Sequence, residues 1–505
     1  MRILLILLAL LICAGRASAI IPGCVGNGSA DDTTCLQNAI NNSQNGTLNL
    51  ENGLYKITSG LVSVGPIHIV GGGGGGGNYV STCTAGFRVA SASIVALTLK
   101  GAGSILENTC FEYSVAATGG AAVSVGGPAN SVTIEHVQIN GAMIGIDVGN
   151  TATQLLSLVV RENRVIPPAN PAAIAIRIGA ATINGNTTGE FFGNEVNCYN
   201  GTTNVAIGMQ IQDSGGSYFG NNDIYGCSYG TTLQPSTNQQ IIWNYFIGTV
   251  LGDTSQFYDL FVNTPTSTSL VLGNEFVGSW TSSSASTNIL VEDTSGVGNV
   301  HGMHFVGHRA YTASTNSTIF DIVNGDDITI DSSTLCAVNS NAGTGIKIRG
   351  SAGDVFVRSS RIGRCEMGTG SLGTGISVTT SNQFVGGISG NDFAASTTPI
   401  TYSPTGGNQT TATITANSGP DGSFAGLPAA SAINLPVNTN VVLTSSGTIS
   451  SINGGWSGRV VYLYPSGSTG ASFITGGNIC NSLAVAQNVP VMAVYDGSSV
   501  CWHVK

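Results

Sequence analysis

An asparagine, a polar residue and an apolar residue follow one another repeatedly along the chain. The triplets are Asn163-Arg164-Val165, Asn194-Glu195-Val196, Asn222-Asp223-Ile224, Asn244-Tyr245-Phe246, Asn274-Glu275-Phe276 and Asn391-Asp392-Phe393. Glu135-His136-Val137, Met303-His304-Phe305, Ser333-Thr334-Leu335 and Ser360-Arg361-Ile362 fill the gaps with the same polar-to-apolar step. The middle residues lie 28, 31, 28, 22, 30, 29, 30, 27 and 31 positions apart, one interval being clearly short. Between copies stand β-branched residues and glycine-rich turns, and long amphipathic helical stretches are missing. A solenoid of strands has this signature. Each copy predicts one coil of a parallel β-helix. The apolar residue points inward and stacks, and the middle residue points outward by strand alternation. Asparagine suits the bend, because it tolerates left-handed backbone and bonds to its like from coil to coil. Ten copies at about 4.8 Å per coil predict a rod of about 45 Å along this stretch.

The N-terminal end reads differently. Asp31-Asp32-Thr33-Thr34-Cys35-Leu36-Gln37-Asn38-Ala39-Ile40 predicts a short helix capped by Asp31 or Asp32. Its Leu36, Ala39 and Ile40 would cover the open end of the coil, which otherwise offers unpaired strand edges. Gly46-Thr47-Leu48-Asn49-Leu50 and Gly53-Leu54-Tyr55-Lys56-Ile57 follow as strands, and Ile67-His68-Ile69-Val70-Gly71 continues them. The order D-D-T-x-x-L-Q-x-A-I, G-T-h-x-h, G-x-Y-x-h, with h apolar, resembles the opening of pectate-lyase-superfamily proteins of the rhamnogalacturonase and epimerase kind. That resemblance implies an all-β fold: a right-handed single-stranded parallel β-helix with an N-terminal capping helix. It also implies action on a polysaccharide. The polygalacturonase motifs N-T-D, D-D, G-H-G and R-I-K do not carry over. Gly307-His308-Arg309 precedes Asp326-Asp327, and Ile346-Lys347-Ile348-Arg349 only echoes the last motif. The glycines from Gly71 to Gly77 read as a loop, since no lysine or helix start follows to make a phosphate cradle.

The two ends frame the coil. Arg2, an apolar run from Ile3 to Ile12 and Ala17-Ser18-Ala19 read as a secretory signal peptide over residues 1–19, too short to span a bilayer. The β-helix is expected over 20–409. A Thr/Ser/Gly/Pro-rich linker is expected over 410–428 and a small C-terminal β module over 429–505. With Arg2 and Arg16 removed, 14 basic residues face 26 acidic ones, a net charge of −12. Nucleic acid is therefore excluded as a partner, and no later segment reaches the length for membrane insertion. Ten cysteines remain, an even number that in an exported chain implies disulfides. Pairing in sequence order is expected, because Cys198 to Cys227 and Cys336 to Cys365 repeat the coil spacing. No C-x-x-C occurs, so no metal site and no cofactor is expected.

Aligned as one column, the outward residues are His136, Arg164, Glu195, Asp223, Tyr245, Glu275, His304, Thr334, Arg361 and Asp392. Glu195 and Asp223, one coil apart, would stand at the spacing of a retaining glycosidase pair. Asp223 and Glu275, two coils apart, would approach the wider inverting spacing. These three are the expected catalytic carboxylates, since close like charges raise one pKa as a general acid requires. Aromatic residues concentrate between Phe191 and Phe261. Tyr225, Trp243 and Tyr245, with His304 and Arg361, are the expected substrate-binding residues. Tyr199, Tyr218, Tyr229 and Tyr258 add further rings, although rung packing would use the same residue types. A second set comprises His301, His304, His308, Arg309, Asp326, Asp327, Asp331, Lys347, Arg349, Arg358, Arg361 and Arg364. It could supply a lyase with a base and with charge to neutralise a uronate. Two functions follow. One is a secreted lyase or glycoside hydrolase acting on polysaccharide, acidic polysaccharide included, at the outer face of the coil. The other is a non-catalytic, adhesin-like rod that binds glycan. A homo-oligomer is compatible with both.

Overall fold

The computed structural model describes residues 21–505 apart from 52, 73–82, 84, 150–153, 180–186, 200–205, 367–368, 382–383, 394–395, 403–412, 416, 418–424, 428, 436–439, 456–457 and 468. The expected signal peptide, most of the glycine run and much of the expected linker lie outside the described residues.

Apolar residues at every second position form short strands, and the turns between them bring the chain back onto itself. The result is a right-handed parallel β-solenoid of about 14 turns. Three sheets run its length, and each coil visits them in the same order. One coil is Tyr218–Gly220 in sheet B, Asp223–Tyr225 in sheet A and Tyr229–Leu233 in sheet C. Sheet A runs from Asn27–Asp31 to Arg361–Arg364, and sheet C from Leu61–Ser63 to Ser396–Tyr402. Sheet B runs from Thr47–Glu51 to Thr413–Thr415. Apolar rungs fill the interior. Phe191, Phe219, Phe246, Phe276 and Phe305 are fully buried and stack with centroids 4.9, 4.6, 4.6 and 4.6 Å apart.

Asparagines hold the corner between sheets B and A. Asn163, Asn194 and Asn222 are buried; Asn163 Nδ2 donates to Asn194 Oδ1 and Asn194 Nδ2 to Asn222 Oδ1, each at 2.9 Å, while Asn222 Nδ2 donates to the Phe191 carbonyl at 2.9 Å. The left-handed residue at this corner is the one before the ladder position, as at Gly193, Asn221 and Gly248. Asparagine is chosen here for its amide bonds and not for its backbone tolerance. A second ladder exists. Asn244 Nδ2 donates to Asn274 Oδ1 at 2.9 Å. This pair sits at a bend inside sheet B, where the coil is broken into two strands, Gln240–Ile242 with Tyr245–Ile247 and Leu270–Leu272 with Glu275–Val277.

The helix Thr33–Asn42 buries Leu36 and Ile40 and packs beside Leu61–Ser63 of sheet C and Leu54–Ile57 of sheet A. Asp32 is its N-cap residue, but its carboxylate accepts from the Val25 and Gly26 amides instead of capping the helix. Asp31 accepts from the Thr33 amide at 3.1 Å. Five disulfides join cysteines in sequence order: Cys24–Cys35, Cys83–Cys110, Cys198–Cys227, Cys336–Cys365 and Cys480–Cys501. The pairing expected from the coil spacing is the one observed. Near the C-terminus a separate apolar cluster gathers Ile433, Val441, Leu463, Phe473, Val491 and Trp502. Its five-stranded sheet begins with parallel pairs and ends with antiparallel ones.

Candidate functional site

Sheet A carries the first group of expected site residues. Arg164, Glu195 and Asp223 are in register on successive strands. Neighbouring strands lie about 4.8 Å apart, so Glu195 and Asp223 project side by side from the outer face. Arg164 Nε lies 3.4 Å from Glu195 Oε1, and the Tyr225 hydroxyl donates to the same oxygen at 2.9 Å. Burial raises the pKa of Asp223 above the usual carboxylate value, and the Glu195 and Asp253 carboxylates raise it further. One carboxyl is thus held by a cation and a phenol, while its neighbour is biased towards keeping its proton. Such a pair can offer a proton from one side chain and a nucleophile or base from the other. Asp253, in register with Tyr225, completes the acidic group. No asparagine triplet marks its strand, because this coil turns the corner with Thr249.

The same sheet continues through Val250, Trp280, Arg309, Thr334 and Arg361, and Asp392 follows by a single bridge. Arg361 therefore shares a face with Glu195 and Asp223, five strands further on.

Tyr245, Glu275 and His304 do not share it. They are in register with one another on sheet B, in line with Tyr218. Trp243 stands at the bend before Tyr245, 58% exposed, with a φ of 54°. The single outward column is thus corrected to two, and His136 belongs to neither: Gln138 is the residue in register with Arg164, and His136 stands between strands at the corner with a φ of 53°. The short interval between Asp223 and Tyr245 marks the step from the sheet A corner to the bend inside sheet B. Asp223 and Glu275 lie on different faces and form no two-coil pair.

The second candidate set is dispersed in the same way. His301 Nδ1 lies 4.0 Å from Asp326 Oδ2, and Arg358 Nε lies 3.7 Å from Asp331 Oδ2, both on sheet B. Arg309, Arg361 and Arg364 stand on sheet A, and Lys347 and Arg349 on sheet C. His308 is fully buried at the corner. Its Nδ1 is 3.0 Å from Ser279 Oγ and its Nε2 is 3.2 Å from Thr281 Oγ1. Burial lowers its pKa to about 3, so it is a neutral rung of the corner ladder and no surface base. The expected rings are likewise spread over three faces, with Tyr225 on sheet A, Tyr218 and Tyr245 on sheet B, and Tyr229 and Tyr258 on sheet C.

No protein-family model matches the chain, and no curated protein matches it. Several solved structures are similar to it. The catalytic unit of a GH87 α-1,3-glucanase from Streptomyces thermodiastaticus is 15% identical with a TM-score of 0.47, over 80% of this chain and 69% of that one. The periplasmic alginate epimerase AlgG is 10% identical with a TM-score of 0.37, over 79% and 92%. The Streptococcus pneumoniae surface protein and adhesin PfbA is 11% identical with a TM-score of 0.31, over 72% and 96%. At these values the likeness carries no argument about activity, and the architecture stands on the strand pairing described above. By that pairing the chain is a right-handed parallel β-helix.

Proposed function

We propose that the protein acts on polysaccharide at the outer face of sheet A, with Glu195 and Asp223 as its catalytic carboxylates. The observation that carries this reading is their direct register, with Arg164 and Tyr225 bonded to Glu195 and the pKa of Asp223 raised. One strand spacing suits the close carboxyl separation of a retaining glycosidase. Asp223 would give its proton to the leaving oxygen while Glu195 attacks the sugar carbon. Asp223 would then take a proton from the water that releases the sugar. A lyase would use the same face, with Arg164 neutralising a uronate carboxylate. Tyr225 and the partly exposed Trp280 offer ring faces for sugar units on either side. Arg361 would contact a polymer lying along the axis. Glu275, Trp243, Tyr245 and His304 would meet only a chain that passes over sheet B.

Export fits the five disulfides, and among the described residues no helix is long and apolar enough to cross a membrane. The second reading is a non-catalytic glycan-binding rod, favoured by the low charge and the missing polygalacturonase motifs.

A screen of the purified protein against uronic-acid and neutral polysaccharides separates these readings. Unsaturated product absorbing at about 235 nm reports a lyase, and new reducing ends report a hydrolase. Glu195→Gln and Asp223→Asn should each lower turnover by about 10²-fold or more. Unchanged turnover in both variants would remove this pair from the reaction. Turnover of any polymer by the native protein would remove the non-catalytic rod.

A further inference from the structure

The outer face of sheet C carries a compact group of side chains that the Glu195–Asp223 pair does not use. Tyr229 and Tyr258 are in register on adjacent strands. Phe257 and Phe261 pack with them. Ring centroids lie 5.3 Å apart for Tyr229–Phe257, 5.8 Å for Tyr229–Tyr258 and Tyr229–Phe261, and 5.4 Å for Tyr258–Phe261. These rings do not fill the core. Leu260 and Val262 already occupy the inward positions of that strand, fully buried, while Phe257 is 42% exposed.

Polar groups of both signs follow on the next coils. Glu292 and Asp321 alternate with the buried Val291, Phe320 and Ile322, and so face outward. Arg349 Nε and Nη2 donate to the two oxygens of Asp321 at 2.8 and 3.1 Å, leaving Nη1 outside that pair. Burial raises the pKa of Glu292, the Arg349 guanidinium opposes this and Asp321 adds to it. Burial also raises the pKa of the Tyr258 hydroxyl, with smaller contributions from Tyr229, Glu292 and Asp321 that Arg349 opposes. A ledge of rings next to planar groups that bond in pairs matches the two sides of a sugar. Its C–H face lies on aromatic carbon, and its neighbouring hydroxyls take bidentate hydrogen bonds.

We propose that the outer face of sheet C is a second saccharide-binding site. Tyr229, Tyr258 and Phe261 stack a pyranose unit there, and Glu292, Asp321 and Arg349 bind its hydroxyls. The proposal rests on polysaccharide as the ligand class but on no chemistry at Glu195 or Asp223. A polymer held on one face while another face acts on it gains from a raised local concentration.

Affinity electrophoresis of the full chain tests this, in gels containing polygalacturonate, alginate, dextran or laminarin. The E195Q/D223N variant serves as the background, so that no polymer is cut. At least one polymer should retard that variant. Adding Tyr258→Ala should weaken the apparent affinity about tenfold, with the thermal midpoint unchanged. Glu292→Gln, which keeps the shape of the side chain, should weaken it as well. Retardation that survives both substitutions would overturn the proposal. So would the absence of retardation by every polymer, or its loss in E195Q/D223N alone. Turnover of short oligosaccharides by the Y258A protein should stay at the native level. Normal turnover with unaltered retardation would sink the second site and leave the first standing. Retardation lost in Y258A from a protein without turnover would do the reverse.

Discussion

His308 takes the place in the sheet B–A corner that Asn194 and Asn222 take in earlier coils. Its amide donates to Ser333 Oγ at 3.1 Å, as the Asn194 amide donates to Asn222 Oδ1. Around the ring stand Phe305, Phe320, Ser279 and Thr281, with no charged partner among its described contacts. The folded protein therefore keeps His308 neutral down to about pH 3, whereas the unfolded chain takes up a proton below about 6.5. Stability from this residue is complete above about pH 6.5 and is lost as pH falls towards 3, at most about 1.4 kcal/mol per pH unit. His308→Asn should fold, because asparagine is the ladder residue elsewhere, and should flatten that stretch of the stability–pH curve in urea titrations. At the proposed site, activity should fall as pH rises through the elevated pKa of Asp223, since a general acid works only while protonated. At this scale the sequence showed that Glu195 and Asp223 point outward. It hid the burial of His308, because a histidine reads alike in an outward position and in a ladder.

The ladders and rungs do at the element scale what single contacts cannot. Asn194 bonds on both sides, accepting from Asn163 and donating to Asn222 and to the Val160 carbonyl. Asn194→Ala would leave several of these buried groups without partners, at a cost of about 1–3 kcal/mol for an orphaned group. A lower urea midpoint, with unchanged circular dichroism at low denaturant, would show it. The repeat of asparagines was visible in the sequence, but its division into two ladders was not. Asn222 and Asn244 belong to different bends, and nothing in the local triplet separates them. The helix Thr33–Asn42 shows the same limit. Its apolar face was legible from Leu36 and Ile40, whereas the role of Asp32 depends on the Val25 and Gly26 amides, which only the fold brings near.

Across the whole molecule, acidity bears on the substrate. The chain carries a net charge of −10 and few charged residues of either sign. An acidic polymer would approach against a repulsive field that salt screens, with a Debye length of about 10 Å at 0.1 M. If an acidic polysaccharide is turned over, kcat/KM should rise as ionic strength increases from about 0.01 to 0.1 M, while a neutral polymer should respond little. A fall with salt would point instead to a positive binding face as the dominant influence. Period, inward rungs, outward residues, the end cap and the disulfide partners all followed from the sequence. Each depends on local alternation or on a spacing that recurs along the chain. Which of three faces an outward residue occupies was decided only by tertiary structure. Strand alternation has a period of two and separates inside from outside, but it does not number the sheets. The face depends on the length of each turn and on the extra bend in sheet B. That bend parts Glu275 from Asp223 and leaves Glu195 beside it.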